Sequence, residues 1–236
     1  MNNSIEGDFY FGISEDKIFI CFFEKENSNF KSSTNFDIPE GLDNDLNFKI
    51  ITNLLKENIK KIEKKIGFFL NSANISIKSK TYQNVLLSIK NIFDNKNLNK
   101  KVISNMVQSA VRQFYAVNKN LNIIHILINK YIIDDKIYNI YPDNIKCKKV
   151  ILEIEFICLD KVLINKIKSL LKKCDIHVDK IISYEYSQKF FNDTKDVSMC
   201  ITARKIAAGV NQSEVYFTEE LTKKPSIFDK IFNFFD

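Results

Sequence analysis

Residues 123–187 read IIHILINKYIIDDKIYNIYPDNIKCKKVILEIEFICLDKVLINKIKSLLKKCDIHVDKIISYEYS, and the spacing of their apolar residues changes character several times. From Ile123 the stretch is rich in β-branched residues and breaks at Asp134 and Asp135, side chains suited to a turn, so a strand, a turn and further strand are predicted. KKVILEIEFICL then alternates, with Leu152, Ile154 and Phe156 on one face and Glu153 and Glu155 on the other, as a half-exposed strand does. Asp160 follows as an N-cap, and Leu163, Ile164, Ile167, Leu170, Leu171 and Cys174 trace one face of a helix. DIHVDKIISYEYS returns to strand character. Strands crossed by helices in this order predict an α+β fold.

Working outward, FYFGISEDKIFICFFEKE carries two apolar runs around Ser14, Glu15 and Asp16, the pattern of a hairpin. A polar loop holding Pro39 and Gly41 leads to Ile51, Leu54, Leu55, Ile59, Ile62 and Ile66 at helical spacing, with Gly67 placed to stop the helix. FFLNSANISIK and NVLLSIKNIF read as strands. A helix is predicted over 102–117, its buried side made of Ile103, Met106, Val107, Ala110, Val111 and Phe114. Beyond Phe191 the pattern thins to one helix around 199–208 and a charged spacer, FTEELTKK. Then comes KPSIFDKIFNFFD. Wound as a helix, Ile227, Phe228, Ile231, Phe232, Phe234 and Phe235 fall within about 160° of arc, while Asp229, Lys230, Asn233 and Asp236 take the other side. Pro225 and Ser226 suit its first turn.

At 236 residues and 45% hydrophobic residues, the chain is long enough for one large domain or two small ones with a real core. The net charge of +6 comes almost wholly from lysine, since Arg112 and Arg204 are the only arginines. A nucleic-acid surface draws on arginine interleaved with aromatics, so no nucleic-acid partner is expected. The five cysteines, Cys21, Cys147, Cys158, Cys174 and Cys200, are odd in number and show no C-x-x-C spacing, which suits a reducing compartment and neither a disulfide framework nor a zinc site. No leader-like apolar segment follows Met1, and runs such as IFICFF fall far short of the roughly 18 residues a membrane span needs. A cytoplasmic protein that meets a membrane from the side is the expectation.

Candidate chemistry is sparse. His125 and His177 have no second histidine or cysteine at ligand spacing and read as packed or surface imidazoles on strands. Glu153 and Glu155 fit a solvated sheet face, and Asp134 and Asp135 a turn. No nucleophile elbow surrounds a serine or cysteine. Gly7, Gly12, Gly41, Gly67 and Gly209 never lie within four residues of one another, so no phosphate cradle of a known kind can be built from them. No catalytic, cofactor or metal residue is expected, and the chain reads as no enzyme.

The order of the pieces resembles the FtsA family, the actin-like bacterial division proteins that tether the FtsZ ring to the membrane. The stretch 123–187 is similar to the family's His-containing strand, "y.vDg" turn, "dPiGm.G.rLe" loop, strand, helix ending in a "Kc...gl.v" step, and following strand, with His125, Asp135, Pro142, Leu152, Glu153, Cys174 and Val178 in register. NFDIPEGLDNDLNFKIITNLLKENIKKIEKKI likewise resembles the family's approach to its small inserted SHS2-type domain, and the resemblance covers about residues 7–190. It departs at the phosphate hairpins. Where the family has D-I-G-T-S-K the chain has GISEDK, with Gly12 at the aspartate and Ser14 at the glycine, and the second hairpin, D-I-G-G-G-T-T-D, is missing with the lobe around it. MCITARKIAAGV stands as the first lobe's closing helix.

The resemblance implies an SHS2-type small domain on a remnant actin-like, ribonuclease H-like lobe. Residues 1–67 are the lobe's hairpin and helix, 68–183 the inserted domain, 184–216 the return segment, 217–224 a linker and 225–236 a membrane-targeting amphipathic helix. It implies no cofactor, the ATP site being lost, and a scaffold or tether linking division-ring proteins, FtsZ or later divisome proteins, to the inner membrane surface, with self-association. One terminal helix would hold a membrane weakly, so several copies together would be needed; docking of that helix on its own domain or on a partner's groove is the competing reading. Two alternatives to the division reading stand beside it: a platform protein of the pilus-assembly PilM type, which normally keeps ATP binding, and a basic RNA-associated α+β domain.

Overall fold

The computed structural model describes residues 7–25, 30–39, 45–67, 69–142, 145–189 and 198–215. Ile227, Phe228, Ile231, Phe232, Phe234 and Phe235 lie outside the described residues.

The apolar runs flanking Ser14 to Asp16 form β1 (Gly7–Ile13) and β2 (Lys17–Glu24), antiparallel and in register from Gly7 opposite Glu24 to Ile13 opposite Ile18. β3 (Phe30–Asp37) pairs antiparallel with β2 and occupies part of what the sequence presents as a polar loop. FKSSTNFD has too few apolar residues to announce a strand. It is held as an edge by its ladder to β2 and by the Thr34 hydroxyl, which donates to Asn58 Oδ1 at 2.9 Å. Helix α1 (Asp45–Ile66) stops at Gly67, whose φ of +87° places the chain in the left-handed region open to glycine. β4 (Ser72–Ile77) then enters parallel to β1.

The chain leaves this sheet to build a second one. β5 (Gln83–Asn97), helix α2 (Lys100–Val117), β6 (Leu121–Ile133), β7 (Lys136–Tyr138) and β8 (Lys146–Asp160) form a four-stranded antiparallel sheet in the order β5-β8-β6-β7. Asn99 caps α2 by accepting the Val102 N–H at 3.0 Å, and the stripe Ile103, Met106, Val107, Ala110, Val111 and Phe114 is buried as its spacing requires. It packs on Leu152, Ile154 and Phe156 of β8, all fully buried. Asp134 and Asp135 have φ of 45° and 67°, making the tight β6–β7 turn of the primed kind.

Asp160 caps α3 (Lys161–Lys172) through the Leu163 N–H at 3.0 Å, and β9 (His177–Ser183) returns to pair parallel with β4. The first sheet therefore runs β3-β2-β1-β4-β9. Of the span 68–183 assigned to the small domain, the second sheet and its helix take only 83–160, while β4 and β9 complete the first sheet. Short α4 (Tyr184–Gln188) and α5 (Ser198–Ala207) follow.

Helices α1 and α3 cover one face of the first sheet, with Ile51, Leu55, Ile164 and Leu170 against Phe11, Ile20 and Ile75. The other face takes Met199, Cys200, Ala203 and Ile206 of α5 against Tyr10, Phe19, Cys21 and Phe23. Burial on both sides explains why β2 is an unbroken apolar run instead of an alternating one. It also explains Gly12: a Cβ there would stand 2.9 Å from Met199 Cβ, so the glycine admits α5.

Candidate functional site

A cleft of about 640 Å³ opens at the carboxyl ends of the parallel strands β1 and β4, beside the α3 N-terminus. Open sheets of this kind take ligands at that end. Ile13, Ser14, Asp16, Lys78, Asp160 and Lys166 are among its walls. The β1–β2 turn that overhangs it spends its polar groups on itself. Ser14 Oγ donates to Asp16 Oδ1 at 2.7 Å and accepts the Lys17 N–H at 3.1 Å, while the Ser14 N–H donates to the Lys17 carbonyl at 2.9 Å. The Ser14 hydroxyl, followed by Asp16's own backbone N–H, holds the Asp16 carboxyl below its ordinary range. Glu15 pairs with Lys80 at 2.6 Å, and Glu185 accepts the Ser79 N–H at 2.8 Å. The cleft wall thus carries Glu15, Asp16 and Asp160 together with Lys78 and Lys166.

A second polar centre is buried where the two sheets meet. The side chains of His125, on β6, and Glu214, beyond α5, are only 3% and 1% exposed. His125 Nε2 accepts the Ser183 N–H at 3.1 Å, so the ring proton resides on Nδ1, which donates to Glu214 Oε1 at 2.6 Å. Glu214 Oε2 accepts the Tyr186 hydroxyl at 2.9 Å, and that hydroxyl accepts from Asn211 Nδ2 at 2.7 Å. The imidazole and the Tyr186 ring pack with centroids 4.4 Å apart. Backbone bonds run alongside: the Ile128 N–H donates to the Ser213 carbonyl and the Val215 N–H to the Ile126 carbonyl, both at 2.9 Å.

This centre has the residue types of a hydrolytic triad without its geometry. Both imidazole nitrogens are occupied, and Ser183 Oγ donates to Glu185 Oε2 at 3.0 Å, away from the imidazole. What it can do is hold three segments together: β6 of the second sheet, the β9–α4 junction of the first, and residues 211–215.

The remaining candidates from the sequence are scattered. Glu153 pairs with Lys130 at 3.0 Å, and Glu155 accepts from Asn129 at 3.1 Å and lies 3.7 Å from Lys189, so each has its own partners. His177 is exposed, and Asp134, in the β6–β7 turn, accepts the backbone N–H groups of Lys148 and Lys149 at the start of β8. All five cysteines are free thiols; burial pushes Cys158 up to about 12 and raises Cys200 well above its ordinary value. Among the described residues no group of three or more His, Cys, Asp or Glu is placed to hold a metal ion, and no helix is long and apolar enough to cross a membrane. Glu214 and Tyr186 had no signal in the sequence: Glu214 sits 89 positions from His125, in a polar stretch without periodicity.

Fold and centre together define a mixed α+β protein that has, among the described residues, two sheets and five helices, the sheets joined by a buried polar clamp. No protein-family model matches the chain, and no curated protein matches it. Among solved structures the chain is similar to a PilM-PilN type IV pilus biogenesis complex, at 8% identity and TM-score 0.48, covering 78% of this chain and 49% of that one. The cytoplasmic domain of EpsL, an inner membrane component of the type II secretion system of Vibrio cholerae, aligns at 9% identity and TM-score 0.39, covering 77% and 57%. A Bacteroides thetaiotaomicron protein with an actin-like ATPase fold and unknown function aligns at 14% identity and TM-score 0.31, covering 79% and 56%. The chain thus spans about half the length of these structures, and at such scores none of them assigns it a fold family or a function.

Proposed function

We propose that the chain is a non-enzymatic scaffold of the FtsA type, a ribonuclease H-like lobe bearing one SHS2-type domain, which links division-ring proteins to the inner membrane surface. The observation that carries this reading is the strand order. β3, β2 and β1 are antiparallel, β4 and β9 run parallel beyond β1, and the second sheet with its helix, β5-α2-β6-β7-β8, followed by α3, lies between β4 and β9. That is the arrangement a ribonuclease H-like lobe with one inserted domain requires. Only residues 189–197 separate α4 from α5, far too few for a second lobe at that point of the chain.

The same features support a scaffold that does no ATP chemistry. One lobe gives a nucleotide one wall, and the turn over the cleft carries Glu15 and Asp16 in place of open donors. The clamp at His125 and Glu214 supports a fixed relation between lobe and small domain, as a docking platform needs. Membrane attachment is carried by the sequence pattern of Ile227, Phe228, Ile231, Phe232, Phe234 and Phe235.

Co-sedimentation with anionic liposomes tests the reading, comparing the intact chain with one truncated after Lys224 at low and high salt. The intact chain pellets, the truncated chain stays in solution, and salt weakens binding only modestly. If both stay in solution, 225–236 is no membrane anchor and the tether reading falls. Saturable binding of labelled ATP would overturn the loss of the nucleotide site and favour the pilus-platform alternative.

A further inference from the structure

The second sheet has one short, partly covered edge and one long edge. On the short side the three-residue β7 pairs with Tyr131 to Ile133, and residues 213–215 bond to Ile126 and Ile128 of β6. The open side is β5, 15 residues long, and among the described residues no strand pairs with its outer edge. Natural edges are usually blunted by shortness, proline or several charges. Between Gln83 and Ile92 there is no proline, and Lys90 is the only charged residue. Leu86 and Ile92 stand 74% and 69% exposed on the face turned away from α2.

We propose that two copies of this chain pair through β5, antiparallel about Ile89, joining two four-stranded sheets into one. The strand is self-complementary in that register. Leu86 of each copy comes opposite Ile92 of the other, covering both exposed side chains at once, and Ser88 comes opposite Lys90. No like charges face each other. Centring on Lys90 would set that lysine against itself, and centring on Ser88 would set Leu86 against Lys90 and Ile92 against Asn84. The register stays within the regular part of the strand, which ends in a bulge between Ile92 and Lys96, where Asn95 has φ of 51°. An edge pairing this short falls below the roughly 1,200 Å² of a standard interface, so the dimer is weak and reversible. The inference rests on the edge alone and does not depend on the scaffold reading.

Sedimentation equilibrium of the full chain tests it. The average mass rises with concentration from 27.6 kDa toward twice that value, and the double variant Leu86→Lys, Ile92→Lys weakens association at least tenfold while keeping its circular dichroism. Register is read by cysteine pairing, with the unaltered chain and its own cysteines as baseline. Under mild oxidation a mixture of Leu86→Cys and Ile92→Cys chains forms the inter-chain disulfide, and neither chain alone does, because like positions lie six residues out of register. A chain that stays monomeric at about millimolar concentration, a double-lysine variant that associates as the parent does, or equal cross-linking in the single variants would overturn the proposal.

Discussion

Replacing Glu214 by alanine removes one acceptor from two buried donors at once. The His125 Nδ1–H, 2.6 Å from Glu214 Oε1, and the Tyr186 hydroxyl, 2.9 Å from Oε2, are both left among packed side chains. An orphaned buried donor costs about 1 to 3 kcal/mol, so the change destabilises by roughly 2 to 6 kcal/mol. With a urea slope of ~2 to 3 kcal/mol/M for a chain of this size, the unfolding midpoint falls by roughly 0.7 to 3 M. Glu214→Gln separates the contributions. Its single carbonyl oxygen can serve one donor, and its amide confronts the other, so about half of the loss is expected. Urea unfolding followed by far-UV circular dichroism measures both variants. A loss below about 0.5 kcal/mol in Glu214→Ala, the range of ordinary surface changes, would refute the clamp and leave His125 as a packed imidazole.

Gly12→Ala drives a Cβ to within 2.9 Å of Met199 Cβ and should destabilise by about 1 to 3 kcal/mol through displacement of α5, read as a fall in thermal midpoint. Cys174, the only half-exposed thiol, reacts first with a thiol reagent at pH 8 although burial raises it too, whereas the fully buried Cys158 and Cys200 react only on unfolding; mass-mapped labelling checks the order. The Asp16 carboxyl is lowered in the folded chain, so its contribution to the β1–β2 turn is present above the ordinary carboxylate value of 3.8 and fades as pH falls through the folded value. Ser14→Ala removes the largest cause and moves the Asp16 titration upward, which an NMR pH titration of that carboxyl resolves.

Much of the framework was legible because burial imposes period. β8 declared itself by alternation and α2 by a stripe whose six residues are the six buried in the helix. The β6–β7 turn was legible from two aspartates that tolerate positive φ. β3 was not, because an edge strand needs few apolar residues when a neighbour supplies half of its ladder. The true length of β5 was hidden in the same way, since DNKN after Phe93 reads as polar although the strand pairs with β8 as far as Asn97. The clamp was beyond reach for a different reason. His125 looked inert on its strand, and what makes it structural, Glu214 and the Ser183 N–H, arrives only once the sheets have closed on each other.

The burial of β1 between α1 with α3 on one side and α5 on the other has a consequence for synthesis. Cys200 of α5 donates its thiol hydrogen to the Tyr10 carbonyl, 190 positions back along the chain. At about 5 to 20 residues per second, the sheet face formed by Tyr10, Phe19, Cys21 and Phe23 stays uncovered on the ribosome for roughly 10 to 40 s before the helix that shields it is made. β1 and β2 are thus sheltered long after they are made, and the growing chain presents an aromatic surface until α5 has been synthesised.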